Sequence, residues 1–225
     1  MSNSAAVDAG YFERLFASDE DPWAFKSRWY EVRKRALTLA CLPAARYASA
    51  YEPGCANGEF SAALADRCDA LLVSDGNDKA VEIARRRLAA APHVTVERGW
   101  VPEDWPSASF DLIVLSELGY YLDARSLPAL ASKARESLRA GGTVVACHWR
   151  ARIDGCLLGG DAVHAVLDAQ LGLLHSTRFA DADMVIDVWG IDGTSVAQRE
   201  GLRPQGSAGV GPPERPSDPC DAGAG

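Results

Sequence analysis

A chain of 225 residues, 48% hydrophobic and 24% charged, is long enough for one α/β domain with a full core and too balanced in composition for wholesale disorder. Its formal net charge of -8 offers no basic footprint for a phosphate backbone or an anionic membrane surface, so nucleic acid and membrane are excluded as expected partners in favour of a small molecule. No apolar run nears the roughly 20 residues that span a bilayer and no secretory pattern opens the chain, which makes the cytoplasm the expected location.

The first elements are short and aromatic. Residues 1–10 carry few large apolar groups and are expected to form a mobile leader. The run YFERLF at 11–16 puts Phe12, Leu15 and Phe16 on one side of a short helix, and DPW at 21–23 punctuates it. A longer helix follows, with Ser27 as the expected N-cap and Pro43 closing it because proline cannot donate into a helix. Together 11–43 reads as an N-terminal helical lid.

From residue 48 strand-like and helix-like runs alternate, the signature of a doubly wound α/β sheet built from βαβ units. Strands are expected at 48–52, 70–75, 94–99, 110–116 and 143–147. Helices are expected at 59–67, 78–88 and 126–138, the last stopped by Gly141 and Gly142. After a helix at 161–170, the runs 173–179 and 184–191 are separated only by ADAD. So short a link forces an antiparallel hairpin, because a parallel return needs a crossover of a dozen or more residues. Beyond Leu202 the Pro-, Gly- and Ala-rich stretch 203–225 is expected to be disordered, leaving 11–202 as the single domain. The cysteines form no C-x-x-C pair and have no histidine at zinc-ligand spacing, so no metal is expected.

The chemistry-bearing residues cluster at strand ends. The first strand runs into E-P-G-C-A-N-G, where Gly54 and Gly58 frame a tight turn holding Cys55 and Ala56, and glycine there lets backbone approach a ligand. Asp75 closes the second strand, 21 residues after Gly54, where an acidic side chain can accept hydrogen bonds from a ribose diol; Gly76 and Asn77 continue the same turn. The turn reads G-x-x-x-G rather than G-x-G-x-x-G, and no phosphate loop occurs, which points away from NAD and ATP. A loop with few phosphate donors suits S-adenosylmethionine (SAM), whose tail is a methionine, and Glu52 is placed to order backbone near its amine.

These residues resemble a known family. The E-P-G-C-A-N-G turn, Asp75 and FDLIVLSELGYYL at 110–122 are similar to the class I SAM-dependent methyltransferases. More narrowly, DPW at 21–23, WYE at 29–31, SELGYYL at 116–122, CHWR at 147–150 and GDAVH at 160–164 resemble the nodulation protein S family, over roughly residues 11–202. The resemblance implies a Rossmann-like, seven-stranded, mostly parallel sheet of order 3-2-1-4-5-7-6 with strand seven antiparallel. It also implies N-methylation of a small-molecule amine, an amino sugar or a natural-product intermediate, since the family's namesake methylates the free amine of a deacetylated chitooligosaccharide. Where many class members carry an acidic residue for the adenine amino group, this chain has Gly99, Trp100 and Val101, so adenine is expected on backbone groups and the face of Trp100.

The sulfonium of SAM is already activated, and catalysis then rests chiefly on alignment plus removal of a proton from an ammonium acceptor. Glu117 and His148 sit at the carboxyl ends of the fourth and fifth strands, beside Ser116, and are the candidate bases; Glu117 could equally cap a turn and His148 could equally be a core histidine. Tyr120, Tyr121, Tyr30 and His164 are candidates for the acceptor side. Tyr11, Trp23, Trp29 and Tyr30 could form a water-excluding lid, with Trp23 and Arg28 reaching SAM. Two other readings stay open: an O-methyltransferase using the same base, and a SAM-binding protein without transfer activity.

Overall fold

A computed structural model describes residues 9–204. The expectations for residues 1–8 and 205–225 lie outside the described residues. The chain separates into two units: the first runs to Gly193, and the second begins at Thr194. In the second, Ser195 and Gln198 form a reciprocal capping box that starts a one-turn helix, Val196–Arg199. The S-x-x-Q pattern that makes it was present in the sequence and went unread.

In the first unit, helices α1 (Ala9–Ser18) and α2 (Trp29–Cys41) precede the sheet. Then come β1 (Ala50–Pro53), α3 (Glu59–Ala65), β2 (Leu71–Asp75), α4 (Asp78–Leu88) and β3 (Val94–Arg98). The second half holds β4 (Phe110–Ser116), a single 3₁₀ turn (Gly119–Tyr121), α5 (Ser126–Glu136) and β5 (Leu138–Trp149). Helix α6 (Gly160–Leu171) and the hairpin β6 (Leu174–Ala180) and β7 (Met184–Gly190) complete it. The seven strands lie in the order β3-β2-β1-β4-β5-β7-β6, with β7 antiparallel to both neighbours. This is the topology the resemblance implied.

Alternation along the buried strands divides the core into two layers. Leu112, Val114, Val145, Cys147, Ile186 and Val188 face one side, with Leu64 of α3 and Ala84 and Leu88 of α4. Ile113, Leu115, Val144, Ala146 and Trp189 face the other, against Leu130 of α5 and Val163 and Leu167 of α6. Residues 112–115 of β4 are each 1% exposed or less, and burying side chains of this size contributes about 1.5 to 3 kcal/mol apiece. That makes β4 the fixed centre from which the active-site edge projects.

Beyond shifts of a few residues at element ends, two boundaries differ from the sequence expectation in their local chemistry. Helix α2 is preceded by Arg28, with no side-chain cap, in place of Ser27. Strand β5 begins at Leu138 and runs through the glycine pair instead of starting after it. Gly141, at φ +74, sits where the pairing slips from Phe110–Leu138 to Leu112–Thr143, so the glycine makes a bulge within the strand and not a helix stop.

Candidate active site

The carboxyl ends of β1, β2 and β4 open into one cavity of about 650 Å³, lined also by residues of the N-terminal segment. On the β2 side it is lined by Gly54, Ala56, Asp75, Gly76, Trp100 and Val101. Gly54 has φ +72, and the turn it makes lets Ala56 donate its amide to Asp75 Oδ2 at 2.9 Å. Asn77 donates its amide to the other oxygen at 2.8 Å. Both bonds hold the Asp75 carboxylate in place, and each oxygen keeps a lone pair for a ligand hydroxyl. Burial nonetheless pushes the Asp75 pKa above the ordinary value, the two amide bonds offsetting only part of that cost. A Cβ on Gly76 would lie 2.3 Å from the Trp100 ring, so only glycine lets the indole lie against this turn. A positive-φ turn, a buried acceptor and a flat aromatic wall fit a ribose and its base.

Other residues assigned to the donor from sequence support this wall from behind and do not line it. Cys55 is buried, its amide donating to Ser74 O at 3.0 Å. Gly58, at φ +75, lets α3 approach α4, where a Cβ would meet the Ala84 backbone at 3.3 Å. The Asn77 side chain caps α4 by accepting from Ala80 N at 3.0 Å. Ser116 ends β4 outside the lining. Glu52 is 3% exposed, and its Oε2 has no hydrogen-bond partner among the described residues. Burial raises its carboxyl to about 8, with Ser61 opposing that rise and Asp75 adding to it. Glu52 thus lies buried under the turn, outside the cavity lining.

The opposite side of the cavity is built from segments far apart in sequence. Glu117 follows β4 at φ +54, a conformation that non-glycine residues rarely adopt and that clusters at functional sites. Its Oε2 accepts a short hydrogen bond from the Tyr120 hydroxyl, and its Oε1 lies 3.4 Å from Lys34 Nζ. Lys34 also pairs with Glu31 Oε2 at 2.8 Å and faces the rings of Tyr30 at 5.3 Å and Phe25 at 5.8 Å. Burial works to lower the Lys34 pKa, but Glu117 and Glu31 outweigh it, and the net direction is up. The ammonium is therefore locked on. The Glu31 carboxyl is raised by burial, with Lys34 opposing the rise.

The N-terminal segment supplies part of the cavity wall. Trp23, Arg28 and Tyr30 line the cavity, joined by Phe12, Phe16 and Phe25. Phe12 packs edge-on against Tyr121 with ring centres 5.0 Å apart, and Tyr30 does the same against Trp149 at 4.8 Å. Trp29 is 72% exposed and belongs to no lid. The DPW turn is tied directly to the glycine loop, because Asn57 Nδ2 donates to Asp21 Oδ1 at 3.0 Å.

His148 and His164 need correcting. His148 is fully buried beneath the 117–121 loop, and its Nε2 already accepts from Gly119 N–H at 2.9 Å. His164 is 1% exposed and pairs with His148 and Asp187. Neither lines the cavity, so neither meets an acceptor directly. In β5 the parity of His148 follows Ala146 toward α5 and α6, while Cys147 faces α2. The residues that sequence reasoning missed are Glu31 and Lys34. With Thr38 they are the buried residues of α2, and their 31-34-38 spacing puts them on one helix face that in sequence reads as solvated.

A doubly wound sheet of this order, with a glycine turn after β1 and a buried acid after β2, defines a class I SAM-dependent methyltransferase. The Nodulation protein S (NodS) family model matches residues 9–188, and the chain belongs to that family. Nodulation protein S of Rhizobium tropici is 32% identical over 70% of this chain and 68% of its own length. The crystal structure of a candidate methyltransferase from Pseudomonas syringae is 48% identical, with a TM-score of 0.66 over 72% of this chain and 99% of that one. N-methyltransferase NodS from Bradyrhizobium japonicum WM9, solved with S-adenosyl-L-homocysteine, aligns at a TM-score of 0.74 and 24% identity, covering 84% of this chain and 98% of that one. That last likeness concerns the fold.

Proposed function

We propose that this protein transfers a methyl group from SAM to the amino group of a small molecule. The observation that carries the reading is the Glu117 carboxylate, held between Lys34 and Tyr120 on the cavity side opposite Asp75. Asp75 would hold the ribose, Trp100 the base, and the 54–58 turn the methionine end. Bound there, SAM supplies a methyl group already activated by its sulfonium.

The chain's own residues then have three tasks. Phe12, Trp23 and Tyr121 exclude water from the cavity. The Glu117 carboxyl, which lines the cavity, accepts the proton that an ammonium acceptor must lose before its nitrogen carries a free lone pair. Lys34, a fixed positive charge 3.4 Å from Glu117 Oε1, favours the neutral amine over the ammonium at the acceptor site. The aromatic walls suit an acceptor with an apolar or ring-bearing body, which accommodates an amino sugar or a natural-product intermediate. The cell compartment we expect is the cytoplasm; among the described residues no helix is long and apolar enough to cross a membrane.

The test is a methyl-transfer screen of the full chain against matched amines and alcohols on the same scaffolds, read by product mass and S-adenosylhomocysteine release. The amines should be methylated. Methylation of the alcohols alone would overturn the reading and favour O-transfer.

A further inference from the structure

Beneath the 117–121 loop, β5, α6 and β7 bring three side chains into one line. Gly119 N–H donates to His148 Nε2 at 2.9 Å, His148 Nδ1 lies 3.0 Å from His164 Nε2, and His164 Nδ1 lies 2.7 Å from Asp187 Oδ2. All three side chains belong to residues 1% exposed or less. The direction of every hydrogen bond in this line is fixed by its ends. A backbone amide can only donate. Asp187 can only accept: burial pushes its carboxyl up, but hydrogen bonds from His164 and His175 and the Arg178 charge outweigh that and hold it below the ordinary range.

Each neutral imidazole brings one proton, which leaves a single arrangement. His164 donates from Nδ1 to Asp187, His148 donates from Nδ1 to His164 Nε2, and the lone pair of His148 Nε2 is left for Gly119. Protonating His148 would set N–H against N–H. Burial, His164 and Lys34 all hold its pKa well below the usual histidine value.

The loop above needs such a hold. Glu117 sits at φ +54 and its amide donates to Cys147 O at 2.8 Å, so β5 grips the loop at Cys147 and again at His148. Gly119 is pressed so closely onto this support that a Cβ there would lie 2.3 Å from Val163 Cγ1. The groups facing the line are Lys34 of α2 and the Tyr120 ring at 5.3 Å on the His148 side. On the other side His175 meets Asp187 Oδ1 at 2.8 Å and Arg178 meets Oδ2 at 3.2 Å.

The geometry points to a positioning relay, resting on the amine-methylation reading, in which Asp187, His164 and His148 fix the Gly119 amide and through it the Glu117 carboxylate. These are positioning residues; none of them touches the cavity. Their work is to set one tautomer, and the tautomer sets the loop.

Nuclear magnetic resonance of the histidine-¹⁵N-labelled full chain tests this without any substrate. His148 and His164 should each carry a proton on Nδ1, and His148 should show no cation from about pH 6 to about 8. A proton on Nε2 of either ring, or a His148 cation in that range, overturns the relay. The kinetic arm uses His164→Phe, which should lower kcat at least about tenfold while SAM affinity stays within about threefold. His148→Gln, whose side-chain carbonyl can still accept from Gly119, should retain more kcat than His148→Phe. A His164→Phe kcat within about twofold of wild type contradicts the proposal. Absence of turnover in the wild type would defeat the methylation reading alone, because the tautomers still decide the relay.

Discussion

The two sides of the cavity are built in opposite ways. The Asp75 side is backbone chemistry: one turn with glycine at φ +72, two amides on a carboxylate, and a ring lying on a glycine, all within residues 54–101. The Glu117 side is side-chain chemistry: Glu31 and Lys34 from α2, Glu117 and Tyr120 after β4, and the histidine pair behind them. A wall made of backbone tolerates little change in shape and is suited to a constant ligand. One made of charged side chains from separate elements can be retuned for a different acceptor while the fold stays the same.

The largest expected effect separates the two sides. Glu117→Gln removes the proposed proton acceptor and should lower kcat by something like 10²- to 10⁴-fold, measured at saturating SAM and amine. A kcat near that of wild type would leave the Glu117 side with a structural role only.

Next in size is Lys34→Met. Removing one member of a buried ion cluster typically costs about 3 to 5 kcal/mol, because the partners are left uncompensated. The Lys34 pKa is raised from its ordinary 10.5, so its stabilisation is fully present below that value and is lost only as pH rises through the higher folded value. Urea unfolding should therefore show the same large loss at pH 7 and pH 9. A loss confined to one of the two would contradict the assignment.

A third effect comes from under the Asp75 side. The Glu52 carboxyl is raised from 4.5 to about 8, so the fold favours its protonated form and stability falls as pH climbs through that window. At about 1.4 kcal/mol per pH unit, wild type should lose roughly 3 kcal/mol more than Glu52→Gln between about pH 5.5 and 8. Parallel stability curves for the two proteins would show that Glu52 is ionised in the fold.

What could be read from sequence follows the same division. The glycine turn and Asp75 were legible because each rests on a local rule, a positive φ and an acid at a strand end, whereas Asn77, read as part of the cofactor turn, caps α4. The sheet order came from the resemblance, supported by the brevity of ADAD. The Glu117 side was legible only in its residue types. Glu31 and Lys34 look like a solvated helix face until β5 and the 117–121 loop cover them, and strand alternation pairs His148 with Ala146 without saying which face meets the cavity. Such placements depend on contacts between segments far apart in the chain, as between Lys34 and Glu117.

The smallest expected change in affinity is also the most direct test. Titration calorimetry with SAM on wild type, Asp75→Ala and Glu117→Gln asks whether donor binding and acceptor chemistry belong to different walls of one cavity. Loss of the proposed ribose bonds, at about 1.5 to 3 kcal/mol, predicts that Asp75→Ala weakens SAM by about tenfold or more, while Glu117→Gln binds it as wild type does. Unchanged affinity in Asp75→Ala, or an equal loss in both variants, would contradict the account.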